Sequence, residues 1–216
     1  MMSFFNDNYE RVKRMMDIGL SCIGLALFSP LMLCCAFFIK REDGGPVFYK
    51  GLRIGRGGIP FRMYKFRTMV VNADKIGGPS TADDDPRITR VGKFLRKYKL
   101  DELPQLINVL KGDMSIVGPR PEVPYYVNMF TEEERKILSV RPGITDWASL
   151  WNPDEGSVLA GSKDPERTYM EEIRPTKIRL QLKYVEERSL LVDVKIIILT
   201  FLAVFLKKKY EMGEKE

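Results

Sequence analysis

Ile18 to Ile39 is a run of 22 residues without a charge, and about 20 apolar residues suffice for a helix to cross a bilayer. The run is long for the core of a signal peptide and no small-residue cleavage site follows it. Ser29-Pro30 stands in its middle, and an interior proline removes a backbone hydrogen bond and bends a helix. Arg11, Lys13 and Arg14 precede the run and Lys40 and Arg41 follow it, so the positive-inside bias draws both ends to the cytoplasm. A helical hairpin bent at Ser29 and Pro30, dipping into one leaflet and returning, satisfies both features. An ordinary single span with a tolerated proline is the alternative. In the hairpin, backbone groups freed at the bend need partners such as the Ser29 hydroxyl, since lipid offers none.

A second apolar run, Ile196 to Leu206, is 11 residues long and ends in Lys207, Lys208 and Lys209. It is too short to cross a bilayer, and its cationic end fits an interfacial helix beside anionic headgroups. A terminal core helix with a solvated tail is the other reading.

The pattern between these runs is that of a folded, charged domain. Val47 to Gly55 and Pro60 to Val71 alternate around Arg56-Gly57-Gly58 as a β-hairpin. Gly77 to Pro86 is a Gly-, Pro- and Asp-rich loop. Apolar residues at 88, 91, 94, 95 and 98 predict a helix over Ile88–Leu100 with a basic opposite face. A second helix follows over Leu103–Leu110, with Pro104 in its first turn and Gly112 past its end. Met114 to Val117 is extended and enters the stiff loop Gly118-Pro119-Arg120-Pro121. Thr131 to Glu134 is a capping box that opens a short helix to Ser139. Arg141-Pro142-Gly143 makes a turn, 152–166 a polar loop, and helices resume near Arg167. No repeat or low-complexity tract is present. The expected fold is α+β and mainly helical: a membrane-associated segment over 1–41, a catalytic domain over 42–190 with one small hairpin, and an interfacial helix and basic tail over 191–216.

Composition narrows the chemistry. With no histidine among 216 residues, Ser–His and Cys–His nucleophile pairs and imidazole metal sites are excluded. Cys22, Cys34 and Cys35 all lie in the apolar run and read as small hydrophobes in a reducing compartment. The formal charge of +6 favours anionic partners. Nucleic acid is a poor fit, because net charge alone points to it and no zinc finger or aromatic RNA-binding motif accompanies it.

Three acidic clusters remain. Glu132 to Glu134 compensates a helix start, and Asp83 to Asp85 fits a turn before Pro86 or a loop metal site. Asp101-Glu102 sits at the junction of two helices, where free amides and the preceding Arg96, Lys97 and Lys99 favour ionised carboxylates. At such a junction adjacent carboxylates can converge on one metal ion or one phosphorus centre, although a dipeptide there also serves as a plain cap. Lys65 and Arg67 share one face of a strand opposite Tyr64 and Phe66. Arg120 and Arg141 sit on proline-stiffened loops suited to bidentate phosphate clamping. Each cation also has a reading as a solvated or structurally paired residue. Together with the dyad and the apolar anchor they suggest a diphosphate substrate, a lipid partner and Mg²⁺.

The stretches "GGPVFYKGLRIGRGG", "YKFRTM", "RVGKFLRKYKLDELPQLINVLKGDMSIVGPRPE" and "RPGIT", with the Ser29-Pro30 bend, resemble the bacterial sugar transferase family. These monotopic phosphoglycosyl transferases load a phospho-sugar onto polyprenyl phosphate. The resemblance implies a re-entrant helix in the inner membrane, an active site at its cytoplasmic face among bacterial phospholipids, and Mg²⁺. It implies that Asp101 attacks the β-phosphate of a UDP-sugar to give an aspartyl phospho-sugar and UMP, while Glu102 helps hold the metal. Lys65, Arg96 and Arg120 match positions for anionic substrate contacts. After "RPGIT" many members continue Gly-x-Ala-Gln, whereas this chain reads Asp146-Trp147-Ala148-Ser149, so roles over 146–172 do not transfer. Without a multi-span region ahead of it, the chain looks like the minimal catalytic form. The competing class is a non-catalytic module that binds anionic lipid or a partner at the membrane surface.

Overall fold

The computed structural model describes residues 2–76 and 81–206. The apolar run lies within one helix, α1 (Met2–Asp43), which carries Pro30 in its interior and is not broken into two separate limbs there. Proline at position 30 strips the Ala26 carbonyl of its amide partner. The Ser29 hydroxyl donates to that carbonyl at 2.9 Å, the repair expected of a proline in an apolar medium.

The two faces of α1 are reversed relative to those of a helix in water. Lys13, Asp17 and Ser21, four residues apart, are buried against the rest of the chain, while Met15, Ile23, Leu27, Leu33 and Phe37 are more than half exposed. The segment Asn8–Asp43 is long and apolar enough to cross a membrane.

The β-hairpin forms as expected from β1 (Phe48–Ile54) and β2 (Pro60–Phe66), with Tyr49 paired to Lys65, Gly51 to Met63 and Arg53 to Phe61. β2 ends at Phe66, short of Val71; the Arg67 N–H still donates to the Val47 carbonyl at 2.9 Å, and its guanidinium clasps Asp43. Thr89 caps α2 (Arg90–Lys97) by accepting from the Gly92 amide. After Lys99 in the left-handed region, a 3₁₀ turn over Leu100–Glu102 leads into α3 (Gln105–Lys111). Gly112 ends α3 at φ 88°, where only glycine is unstrained. The Arg14 guanidinium donates to the α3 carbonyls of Val109 and Leu110 at 2.5 and 2.8 Å, placing a cation at the negative end of the helix.

One pairing is absent from the sequence reading. β3 (Ser115–Val117) runs parallel to β4 (Gly143–Thr145), so the residues after Arg141-Pro142 form a strand rather than only a turn. α4 (Pro124–Val127) lies between them. The capping box is present: the Thr131 amide donates to Glu134, and the Glu134 amide to the Thr131 hydroxyl, opening a 3₁₀ turn to Ser139. After β4 come α5 (Trp147–Trp151) and α6 (Glu155–Leu159). α7 (Pro165–Thr168) then passes through a π-turn into α8 (Arg174–Glu187), and α9 spans Leu190–Leu206. The polar loop expected over 152–166 is thus partly helical, because Leu159 is buried with Ala82, Tyr126, Tyr169 and Ile173. α9 starts before the apolar run, since Asp193 turns inward. Gly77–Ser80 and Lys207–Lys209 lie outside the described residues.

Both flanks of the apolar run are fastened to one body. Near its start, Lys13 meets Asp193 of α9 at 2.8 Å, and Asp17 accepts from Ser115 and Ile116 of β3. At its end, Cys35 and Ile39 pack with Phe66 and Leu95, each large side chain contributing about 2 kcal/mol by burial. The three cysteines are free thiols.

Candidate active site

Asp101 and Glu102 are adjacent, yet the tight 3₁₀ turn that holds them sends both carboxylates to one cation. Lys65 Nζ lies 2.8 Å from Glu102 Oε1 and 3.8 Å from Asp101 Oδ2. Lys65 reaches them because Asn108, fully buried on α3, locks β2 in place. Its amide oxygen accepts from the Tyr64 N–H at 2.8 Å and its Nδ2 donates to the Arg62 carbonyl at 2.8 Å.

Arg120 grips Glu102 from the other side in a two-pronged contact, through Nη2 on Oε1 and through Nη1 at 3.1 Å on Oε2. The loop that presents Arg120 is fixed by a close crossing of two glycines. A Cβ on Gly143 would stand 2.1 Å from the Gly118 nitrogen, and one on Gly118 would stand 2.5 Å from the Arg141 carbonyl oxygen. Only without side chains do the GPRP and RPGIT segments come this near, with Gly118 N–H donating to Thr145 and Gly143 N–H to Pro119 at 3.0 Å each. The Arg120 main chain is then held at both ends: its N–H donates to Asp146 Oδ2 and its carbonyl accepts from Gln181 Nε2, both at 3.2 Å.

These contacts give two neighbouring carboxylates opposite characters. Burial would raise Glu102, but Arg120 and Lys65 overcome it and hold the group far below the usual carboxylate range. Arg120 is pushed above its ordinary value, chiefly by the Glu102 charge. Asp101 is raised, with burial outweighing Lys65 and the Glu102 charge adding to the rise. The Asp101 carboxylate takes part in no hydrogen bond among the described residues. Its side chain is 9 % exposed and that of Glu102 19 %, so the dyad has an open edge.

Arg96, from the end of α2, donates to the Thr68 hydroxyl at 3.0 Å and lies within electrostatic reach of Asp101. Burial lowers its pKa. Asp101, Glu102, Lys65, Arg96 and Arg120 are therefore brought together. Arg67 and Arg141 are not. Arg67 is spent on both oxygens of Asp43 and on the Pro46 and Met69 carbonyls, which clasps the end of α1 to the hairpin. Arg141 pairs with Glu10 at 3.2 Å.

Several residues of the site carry no sequence signal. Asp146, fully buried, steadies Arg120 and caps α5 by accepting from Ser149 N–H at 2.7 Å. Gln105, one helical turn after Asp101, is fully buried with neither amide atom hydrogen-bonded. Beyond Arg120 a second cluster, centred on buried Lys177 and Tyr169, joins Glu122 and the more exposed Glu155. There Lys177 Nζ lies 2.6 Å from Glu122 and 3.2 Å from Glu155. Carboxylates scattered over the chain cannot be assigned to one cluster until the β3–β4 crossing folds them together.

A profile of the bacterial sugar transferase family matches residues 8–207. The chain is 43% identical over 195 residues to a UDP-N-acetylgalactosamine-undecaprenyl-phosphate N-acetylgalactosaminephosphotransferase of Aeromonas hydrophila, covering 89% of this chain and 43% of that protein. It is 37% identical over 207 residues to the UDP-glucose:undecaprenyl-phosphate glucose-1-phosphate transferase of Escherichia coli (strain K12), covering 91% of this chain and 41% of that protein. The chain thus spans less than half the length of these two relatives. Against the exopolysaccharide production protein ExoY of Sinorhizobium fredii it is 36% identical over 211 residues, covering 91% of this chain and 86% of that protein. By the extent of the profile match, the chain belongs to the bacterial sugar transferase family.

Proposed function

We propose that the chain is a phosphoglycosyl transferase that moves a phospho-sugar from a UDP-sugar to polyprenyl phosphate, through a covalent intermediate on Asp101. The observation that carries this reading is the asymmetry of the dyad. Glu102 is locked by Arg120 and Lys65, whereas the Asp101 carboxylate is buried, unbonded and open at one edge.

A carboxylate stripped of water and of hydrogen-bond donors is a stronger nucleophile than a solvated one. An Asp101 oxygen attacks the sugar-bearing phosphorus, the bond from that phosphorus to the bridging oxygen breaks, and UMP departs with the electron pair. An oxygen of polyprenyl phosphate then attacks the same phosphorus and releases Asp101. Arg120, Lys65 and Arg96 stand where negative charge gathers on the phosphoryl oxygens. Glu102 keeps Arg120 and Lys65 in place beside the nucleophile.

Asp101 and Glu102 are the protein oxygens that would hold a Mg²⁺ carried in by the diphosphate. No group of three acidic, His or Cys side chains suited to a metal exists among the described residues, and two carboxylates completed by substrate phosphates and water is a usual Mg²⁺ environment. When bound, the ion supplies charge neutralisation to the diphosphate.

The membrane setting rests on the inverted faces of α1 and on its two flanks being fastened to one body. A helix crossing the bilayer would carry one flank away from the domain, whereas Asp17 and Ile39 both touch it. This supports a monotopic seat on one leaflet, and the cations at both flanks support the cytoplasmic face of the inner membrane. Anionic phospholipids and the polyprenyl phosphate then meet the site at headgroup depth.

The test is Asp101→Asn assayed with a panel of UDP-sugars and polyprenyl phosphate. The variant should release no UMP and trap no phospho-sugar adduct. Near wild-type turnover would rule out the covalent scheme. Parallel initial-rate lines would support two half-reactions, and intersecting lines would instead make Asp101 a general base in a ternary complex.

A further inference from the structure

Arg53 is the one cation of the hairpin's site-facing surface that the mechanism above leaves unused. Direct cross-strand partners share a face of an antiparallel pair, so Arg53, opposite Phe61, lies on the same face as Lys65, opposite Tyr49. The end of β1 is fastened beside the site by the Ile54 N–H, which donates to the Glu122 carbonyl at 3.0 Å.

Gly51 lies between Tyr49 and Arg53, and both side chains fold over it. A Cβ there would stand 2.8 Å from the Tyr49 ring and 3.1 Å from Arg53 Nη1. The ring and the guanidinium are therefore within about 6 Å of each other, over a strand residue with no side chain to separate them. Arg53 donates to the Leu52 carbonyl at 2.9 Å and pairs with no carboxylate among the described residues.

The acids nearest to it are already engaged. Glu102 is taken by Arg120 and Lys65, and Glu122 by Lys177 and Tyr169. Arg120, a like charge, is also in range, and burial makes the Arg53 cation harder to hold. A half-buried guanidinium within electrostatic range of a second one, with its local acids spent, is better satisfied once an anion arrives. The aromatic ring next to it supplies a flat apolar surface of the kind on which a base or sugar face stacks.

We propose that Arg53, with Tyr49 across Gly51, forms a nucleotide-anion subsite that takes a phosphate of the sugar nucleotide donor beside the Asp101 dyad. This deepens the phosphoglycosyl transferase reading and rests on it. Arg53 binds and orients the donor, and the phosphorus attacked stays with Asp101, Lys65 and Arg120.

The experiment titrates UDP, in the presence of Mg²⁺, into the full chain held in lipid nanodiscs, comparing wild type with Arg53→Gln, Arg53→Lys and Arg62→Gln. Arg62 lies on the opposite face of the same hairpin and, among the described residues, its side chain bonds only the Lys50 carbonyl, so its loss removes equal charge without touching the subsite. Arg53→Gln should weaken UDP binding about ten- to a hundredfold, the worth of a hydrogen bond to a charged group. Arg53→Lys should recover part of it. Arg62→Gln, the melting temperature and the KM for polyprenyl phosphate should stay at wild-type values. Unchanged UDP binding in Arg53→Gln overturns the subsite. So does an equal loss in Arg62→Gln, a loss confined to the KM for polyprenyl phosphate, or a parallel fall in melting temperature. Asp101→Asn separates the two ideas: retained turnover would remove the covalent scheme while the UDP arms still decide Arg53. A wild-type chain that does not bind UDP removes both.

Discussion

Two buried carboxylates of this chain sit beside lysines, and they have opposite surroundings. Asp193, on α9, is fully buried and fully bonded: Lys13 Nζ at 2.8 Å and Tyr9 OH at 3.0 Å on one oxygen, Tyr184 OH at 2.8 Å on the other. Asp101 is almost as buried, yet its lysine stands off at 3.8 Å and no donor among the described residues reaches it. Asp193 is bonded on both oxygens and has no open edge through which a substrate could reach it, so the first site is a clasp. Unmet capacity in a buried group costs stability and persists where it serves binding or chemistry. The clasp joins α1 to α9, the two helices whose apolar faces point outward. The dyad lies where α3, the hairpin and the GPRP loop meet.

Asp101→Asn should break the comparison most sharply. Turnover should fall at least ~10³-fold, since a lost nucleophile is not replaced by its neighbours, while the fold should gain stability. The folded chain holds the Asp101 proton more tightly than the unfolded chain does, so ionisation of Asp101 erodes stability as pH rises through the raised value. Asparagine removes that cost. Glu102 runs the other way: held low in the fold, its contribution is present above the ordinary carboxylate range and fades only as pH falls through the depressed value. The acid limb of activity should therefore lie above the usual aspartate range and follow Asp101, and pH–rate profiles of wild type and Asp101→Glu would show it. A limb at the normal carboxylate value would mean that Asp101 is not the titrating group.

At the clasp the effect should fall on the fold. Asp193→Ala leaves Lys13 buried without a partner, which costs about 3–5 kcal/mol, and denaturation in detergent would measure it. The double variant Lys13→Met, Asp193→Leu should recover most of that loss, because a buried pair is worth little more than apolar residues of similar size. Donor KM should change little in any correctly folded clasp variant. A double variant no more stable than Asp193→Ala would make the clasp more than a matched pair.

The dyad was legible in the sequence because adjacent acids before a proline, preceded by three cations, form a local pattern. The hairpin, the capping box and the helix ends at Pro104 and Gly112 were legible for the same reason. Arg67 and Lys65 look equivalent in the sequence, and only Asp43, 24 residues away, decides that one is a clasp. The parallel β3–β4 pair was hidden because each strand has three residues, too few to show a period. With it were hidden Asp146 and Gln181, which act on the Arg120 main chain from 26 and 61 residues away.

That dependence can be sharpened. Gln181→Leu removes the donor to the Arg120 carbonyl and leaves the guanidinium untouched. If that contact positions the clamp, kcat should fall about tenfold, as a small displacement of a positioned group allows, and UDP affinity should change less. Gln181→Glu, which keeps an acceptor but loses the donor, should behave like leucine. A melting temperature that falls in step with kcat would assign Gln181 to the core alone.

The smallest expected effect belongs to Ser29. Its hydroxyl serves the one carbonyl that Pro30 orphans, on a surface that is exposed in the bare chain. In water, removing the hydroxyl would cost almost nothing, since solvent would take over the Ala26 carbonyl. In lipid no such partner exists, and Ser29→Ala should cost about 1 kcal/mol. In a Pro30→Ala background the residue at 30 regains its N–H and satisfies Ala26 itself, so the same substitution should cost close to nothing. A double-mutant cycle in bicelles, read by denaturant midpoint, isolates that difference. Equal costs in both backgrounds would mean that the hydroxyl does not serve the orphaned carbonyl, and no cost in either would mean that water reaches the middle of α1.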